Sequence, residues 1–243
     1  MMIYDNEDQI RVNEGLDLIQ NRDGLKFGSD ALLLSAFIGQ QKKDSLGIEL
    51  GSGTGIISLL CLRRNQIGRI IALEVQEEFA DLTRRNAVIN RLDDRLMAVC
   101  SDIRNYEEHE IADLVFTNPP YMKTDSGKAN RVEAKFIARH ETAGDIYDFC
   151  LAGARLLKYG GKFFAVYRPD RLVDLLDAMR RSGIEPKVMQ FVSQSPRLAP
   201  SLVLIEGKRG ASGGLILKAP FTFKDDDGND SKEYEILMQE GRI

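Results

Sequence analysis

Apolar and polar positions along the chain fall into blocks whose period switches between two residues and about 3.6, and each switch marks a change between strand and helix. Met1 to Leu25 is mixed and turn-rich, with Asn13-Glu14-Gly15 and Arg22-Asp23-Gly24 as turn signals. Gly28-Ser29-Asp30 then precedes the apolar run Ala31 to Phe37, which predicts a short helix capped by Ser29 or Asp30 and ended near Gly39. Strands are predicted at Leu46–Leu50, Arg69–Leu73, Leu96–Cys100, Ala112–Phe116, Gly161–Tyr167, Val188–Val192 and Leu202–Glu206. Helices are predicted at Ile56–Arg64, Glu77–Asn90, Ile146–Leu157 and Leu172–Arg180; in the second of these Phe79, Leu82 and Val88 supply the apolar side. Strands alternating with helices imply an α/β domain with a mostly parallel sheet and right-handed crossovers.

Two stretches resist this scheme. Met122 to Gly144 has no strong periodicity, and long loops of that kind in compact domains often bind ligands or close over them. Beyond Gly210, the alternation of Leu215–Lys218 and Phe221–Phe223 suggests an added hairpin, with Asp225-Asp226-Asp227-Gly228 as a turn. The expected organisation is an N-terminal extension over 1–25, a catalytic domain over 26–209 and a C-terminal extension over 210–243.

Composition narrows the function classes. The 243 residues, 43% hydrophobic and 29% charged, suit one globular domain with an appendage. No apolar run approaches the roughly 20 residues of a membrane helix, and Met1 to Asn13 is polar and acidic, unlike a signal peptide. The cytoplasm is therefore the expected compartment. Cys61, Cys100 and Cys150 are scattered among apolar neighbours and read as small buried hydrophobes. His109 and His140 stand apart with no metal-ligand spacing, so no metal is expected. The net charge of −4 counts against a nucleic-acid partner. Locally the balance reverses: Met122 to His140 carries Lys123, Lys128, Arg131, Lys135 and Arg139 against only Asp125 and Glu133.

The chemistry concentrates in two turns. Ile48-Glu49-Leu50 runs into Gly51-Ser52-Gly53-Thr54-Gly55 between a predicted strand and a predicted helix, where glycines let a ligand approach the backbone. Glu74 closes the next strand, 19 residues after Gly55, the spacing at which a carboxylate accepts from ribose hydroxyls. The third glycine comes one residue early for a dinucleotide fingerprint. Glu49 suits a ligand bearing positive charge better than a pyrophosphate, and Asp102, ending the following strand, is placed to accept from an adenine amine.

This order of residues resembles the cofactor site of class I S-adenosylmethionine-dependent methyltransferases, over about Lys26 to Glu206. The resemblance implies a Rossmann-like α/β fold: a seven-stranded, mostly parallel sheet with one antiparallel strand and helices on both faces. It implies S-adenosyl-L-methionine as cofactor, held by Asp30, Glu49, Gly51, Ser52, Gly53, Thr54, Gly55, Glu74, Val75, Asp102, Ile103 and Asn118.

The second turn is Asn118-Pro119-Pro120-Tyr121, at the same sheet edge. The exocyclic amine of adenine is a poor nucleophile because its lone pair is delocalised into the ring. The Asn118 side-chain oxygen and the Pro119 carbonyl, aimed at its two hydrogens, would push the nitrogen toward tetrahedral geometry. Fixed proline φ angles at Pro119 and Pro120 hold both acceptors in place. Tyr121 can stack on an extruded base. The motif is similar to the signature of methyltransferases acting on nitrogen attached to a planar group, in adenine, in guanine of ribosomal RNA or in glutamine of release factors. Leu25 to Phe37 and Arg139-His140-Glu141 resemble the tRNA(Val) adenine-amine methyltransferases, although Leu25-Lys26-Phe27-Gly28 stands where some members carry an H-P-M-K form. That family implies an RNA substrate, tRNA modified near the anticodon; the stacking ring of Tyr121 and the local basic charge of Lys123, Arg131 and Lys135 make these the residues expected to face it. A protein-glutamine enzyme, a ribosomal guanine-amine enzyme and a non-catalytic RNA-binding module retaining the fold remain as alternatives.

Overall fold

A computed structural model describes residues 3–12, 15–22, 27–120 and 144–243. Strands β3 (Leu46–Leu50), β4 (Arg69–Glu74), β5 (Leu96–Cys100), β6 (Ala112–Thr117), β7 (Leu157–Tyr167), β8 (Ile184–Ser193) and β9 (Leu202–Arg209) form the body of one sheet in the order β5-β4-β3-β6-β7-β9-β8. All neighbours are parallel except β9, which runs antiparallel to both β7 and β8. The predicted seven strands with one reversed are thus present. Two strands of two residues each, β10 (Ile216–Leu217) and β11 (Phe221–Thr222), extend the sheet to nine.

Side chains alternate between two cores along each strand, as the period of two requires. Leu114 and Phe116 of β6 face one core while Val115 faces the other; Phe164 and Val166 of β7 oppose Phe163 and Ala165. The first core is covered by α1 (Ser29–Ile38) and α2 (Ile56–Arg63), the second by α4 (Ile146–Leu156) and α5 (Leu172–Arg181). Asp145 starts α4 with a reciprocal capping box to Asp148. Helix α1 begins differently from expectation. Gly28 is its N-cap, with no side-chain cap, and Ser29 and Asp30 are already helical.

Helix α3 (Glu77–Ile89) lies against β4, β5 and the N-terminal strands. Its buried face is Ala80, Thr83, Asn86 and Ala87 with Leu82, whereas Val88, predicted as apolar contact, is half exposed. The reason lies in two asparagines. Asn86 accepts from the Ile19 N–H (2.7 Å) and donates to the Ile19 carbonyl (3.0 Å); Asn90 makes the same pair with Asp17. Their amides act as a surrogate strand for β2 (Leu16–Asn21), which pairs antiparallel with β1 (Glu7–Val12). The opening segment, read as turns, is therefore a hairpin docked through hydrogen bonds and through buried Val12, Leu16, Leu18 and Ile19.

The two apolar stretches of the C-terminal extension do not pair with each other; the reversal lies at the Asp225 turn, where Lys224 and Asp230 form an isolated antiparallel bridge. β10 and β11 each pair in parallel with β8, at Ile216 with Val188 and at Phe221 with Val192, so Leu215 to Phe223 is one extended segment without reversal. The Lys218 N–H on Met189 O and the Gln190 side-chain Nε2 on Ala219 O tie the stretch between them to β8. Helix α6 (Lys232–Glu240), capped by Ser231, follows the Asp225 turn and contacts α1. Cys61 and Cys150 are buried as expected, but Cys100, ending edge strand β5, is exposed.

Candidate active site

Sheet order reverses between β3 and β6, the place where open α/β sheets bind ligands beyond their carboxyl ends. Leu50 and Thr117 are register partners, so the glycine turn and the Asn118 turn leave the sheet side by side. The Thr117 hydroxyl donates to Leu50 O (2.9 Å), pinning the two strand ends together.

The glycine turn is rigid. Gly51, Gly53 and Gly55 have φ of 70°, 56° and 77°, in the left-handed region that favours glycine. The N–H groups of Gly51 and Ser52 bond Leu73 O, and the Gly53 N–H bonds Glu74 Oε2 (2.9 Å). From beneath, α3 holds two carbonyls of the turn: Thr83 Oγ1 donates to Gly53 O and Asn86 Nδ2 to Thr54 O. Asn86 therefore joins the N-terminal hairpin to the ligand loop.

A cavity of about 400 Å³ opens between the two turns. Of the predicted site residues, Asp30, Glu49, Gly51, Ser52, Gly53, Thr54, Glu74, Val75, Ile103, Asn118, Pro119 and Pro120 line it. Gly55 is not in its wall and serves as N-cap of α2. Asp102 is also absent from the wall; its carboxylate instead grips the Arg104 guanidinium (2.5 Å), which holds its pKa below the usual range. Tyr121, Lys123, Arg131 and Lys135, together with Arg139-His140-Glu141, lie outside the described residues. The structure adds Gln76, Phe79 and Phe149 to the wall. Phe149 reaches the site from α4 across the sheet and floors Gly51, a distant packing relation that no local spacing encodes.

Two buried carboxyls dominate the electrostatics. Burial pushes Glu49 up to about 8, against the pull of Ser58, whose hydroxyl and N–H both donate to Oε2; the neighbouring Glu74 charge adds to the rise. Burial raises Glu74 as well, opposed by N–H groups of Gln76 and Gly53 on its two oxygens. Two destabilised carboxylates in one wall suit a cationic guest. Ser52 Oγ is buried beside them with no hydrogen-bond partner among the described residues, an orphan that a polar ligand would satisfy. On the opposite wall, Asn118 Nδ2 donates to Asp30 Oδ2 (2.7 Å), linking the Asn118 turn to the start of α1.

The family model of the methyltransferase small domain matches residues 20–171. The chain belongs to that family. Among relatives of this methyltransferase is the tRNA1(Val) (adenine(37)-N6)-methyltransferase of Phocaeicola vulgatus, 29% identical over 188 residues, covering 77% of this chain and 79% of that protein. A protein of the same name from Porphyromonas gingivalis is 25% identical over 214 residues, covering 85% and 82%. In fold, the methyltransferase is similar to a predicted O-methyltransferase from Agrobacterium tumefaciens, with a TM-score of 0.72 at 17% identity over 88% of this chain and 97% of that one. It is also similar to M. jannaschii TYW2 in complex with AdoMet, with a TM-score of 0.58 at 14% identity over 86% and 88%.

Proposed function

We propose that this protein methylates the exocyclic amine of adenine in tRNA, near the anticodon, using S-adenosyl-L-methionine, and that it works in the cytoplasm. The observation that carries the reading is the shared cavity: a glycine turn with two buried carboxyls on one wall, and Asn118 with Pro119 and Pro120 on the other. The family supports methyl transfer, and the names of the relatives support adenine in tRNA.

The residues fit the donor. Glu74 would take ribose hydroxyls, while Glu49, Ser52 and the glycine turn would hold the amino-acid end. When bound, S-adenosylmethionine supplies an electrophilic methyl group on a cationic sulfur. The protein's own work is placement. Asn118 Oδ1 and Pro119 O accept the hydrogens of the amine and drive its lone pair out of conjugation, and proline stiffness keeps both acceptors fixed before the substrate arrives. Tyr121 stacks on the base, and the basic run through Lys123, Arg131 and Lys135 meets phosphate. No strong base is needed, since the nitrogen loses a proton readily once it carries four bonds.

The test is transfer of tritium from labelled donor to tRNA, ribosomal RNA and protein, followed by digestion. Label in N6-methyladenosine from tRNA is expected. Label in guanosine or in glutamine would replace this reading with one of its rivals, and no label anywhere would favour a binding module.

A further inference from the structure

The Asp30–Asn118 hydrogen bond spans 88 positions of sequence and lies in the cavity wall. We infer that Asp30 is a positioning residue that sets and polarises the Asn118 amide so that its oxygen accepts from the substrate amine while that nitrogen attacks the donor methyl group. The inference rests on the adenine-amine reading and extends it to a residue outside the Asn-Pro-Pro-Tyr motif.

A carboxylate accepts and does not donate, so at 2.7 Å the Asn118 atom facing Asp30 must be the nitrogen. A planar amide then turns its oxygen to the opposite side. The reversed amide would set Oδ1 against the Asp30 carboxylate, acceptor to acceptor, and would present N–H groups to the substrate amine, where acceptors are required. Charge adds to orientation. An anion on the N–H side draws the amide toward its charge-separated form and raises the electron density on Oδ1, strengthening the acceptor that the amine hydrogens meet.

Asp30 is itself held. Its other oxygen, Oδ1, accepts from the Ala31 N–H (3.0 Å), and it occupies the first turn of α1, where the helix dipole favours a negative charge. Room for the carboxylate has been kept by Gly28. A Cβ built there would lie 2.7 Å from Asp30 Oδ1, although the φ of −102° at Gly28 is open to any residue. The glycine is thus needed for space, and the space is filled by this side chain.

The experiment uses the full chain in three variants, Asp30→Asn, Asp30→Ala and Gly28→Ala, assayed for methyl transfer to tRNA with saturating donor. Asp30→Asn keeps an acceptor but loses the charge, so kcat is expected in the order wild type, Asp30→Asn, Asp30→Ala. The last should fall by about 10- to 100-fold, the range set by a charge-assisted hydrogen bond. Gly28→Ala displaces the carboxylate while leaving it in the sequence and should also lose turnover. The KM for RNA and the affinity for S-adenosylhomocysteine should stay within about threefold. A spectroscopic readout is independent of activity. The Asn118 side-chain amide, identified in a nitrogen-15 proton spectrum by its loss in Asn118→Ala, should carry one strongly downfield proton that moves upfield in Asp30→Asn. Unchanged kcat in Asp30→Ala would overturn the inference. So would a loss confined to S-adenosylhomocysteine affinity, which would make Asp30 a cofactor ligand. If the wild type methylates no adenine, the functional reading fails, while the amide spectrum still decides whether Asp30 sets Asn118.

Discussion

Glu49 offers a quantitative test of the charge logic of the cavity. Its carboxyl, fully buried and pushed up to about 8, is about one-hundredth ionised at pH 6, about one-tenth at pH 7 and about one-quarter at pH 7.5 in the ligand-free protein. If the cationic donor requires the ionised form, apparent affinity should rise about 20-fold between pH 6 and pH 7.5. Ionising the group at pH 7 costs about 1.4 kcal/mol, and binding there should release close to one proton. The window stops at pH 7.5 because the amino group of the donor, with a pKa of about 7.7–8.0, is already partly deprotonated there and would mask the trend above it. Calorimetry of S-adenosylmethionine binding in phosphate and in Tris reads both quantities, since the two buffers differ in ionisation heat. Glu49→Gln should bind weakly, with a flat pH profile and no proton release, which separates Glu49 from Glu74. The folding sign is opposite to that of an ordinary paired carboxylate. With a folded-state pKa above the unfolded value, stability is lost as pH rises from about 4.5 to about 8. Glu49→Gln should therefore gain thermal stability relative to wild type as pH rises through that interval. A wild-type affinity that varies less than threefold from pH 6 to pH 7.5, with equal heats in the two buffers, would refute the reasoning.

Replacing Asn118 by Ala should abolish methyl transfer while leaving S-adenosylhomocysteine binding within a few fold, as calorimetry would show; an active variant would remove this side chain from the chemistry. Asn86→Ala orphans the Ile19 N–H and the carbonyls of Ile19 and Thr54, all held by one buried amide. A loss of about 2–4 kcal/mol in denaturant unfolding is expected, together with weaker donor binding, because the hairpin and the glycine turn share that residue. Alanines at Lys123, Arg131 and Lys135 together should weaken tRNA binding and reduce its dependence on salt, measured by titration across a salt series; an unchanged slope would free those residues from phosphate contact.

Local regularity explains which features could be read in advance. The strands β3 to β9 announced themselves by short apolar runs flanked by turn residues, and the glycine turn and Asn118-Pro119-Pro120 by residue types with restricted or unusual backbone freedom. Val88 misled because helical periodicity counts hydrophobicity alone, whereas the buried face of α3 is shared with Thr83 and Asn86, polar residues that exist to hold other backbones. Leu215 to Phe223 misled because alternation specifies a strand and not its partner, and the edge of β8 was open to both segments in parallel. Asp102 stands at the end of β5 as read, outside the cavity wall, with its carboxylate paired to Arg104 two residues away, a contact that strand spacing does not encode.

By itself, then, the sequence determined the order of elements, the α/β class and the positions of the two turns that line the cavity, since each depends on neighbours within a few positions. Tertiary structure alone decided that Leu50 stands beside Thr117, that Asp30 meets Asn118, and that Phe149 lies beneath Gly51. Those relations join residues 67 to 98 positions apart, and what brings them together is the burial of two cores on one sheet, an energy that belongs to the whole chain and to no segment of it.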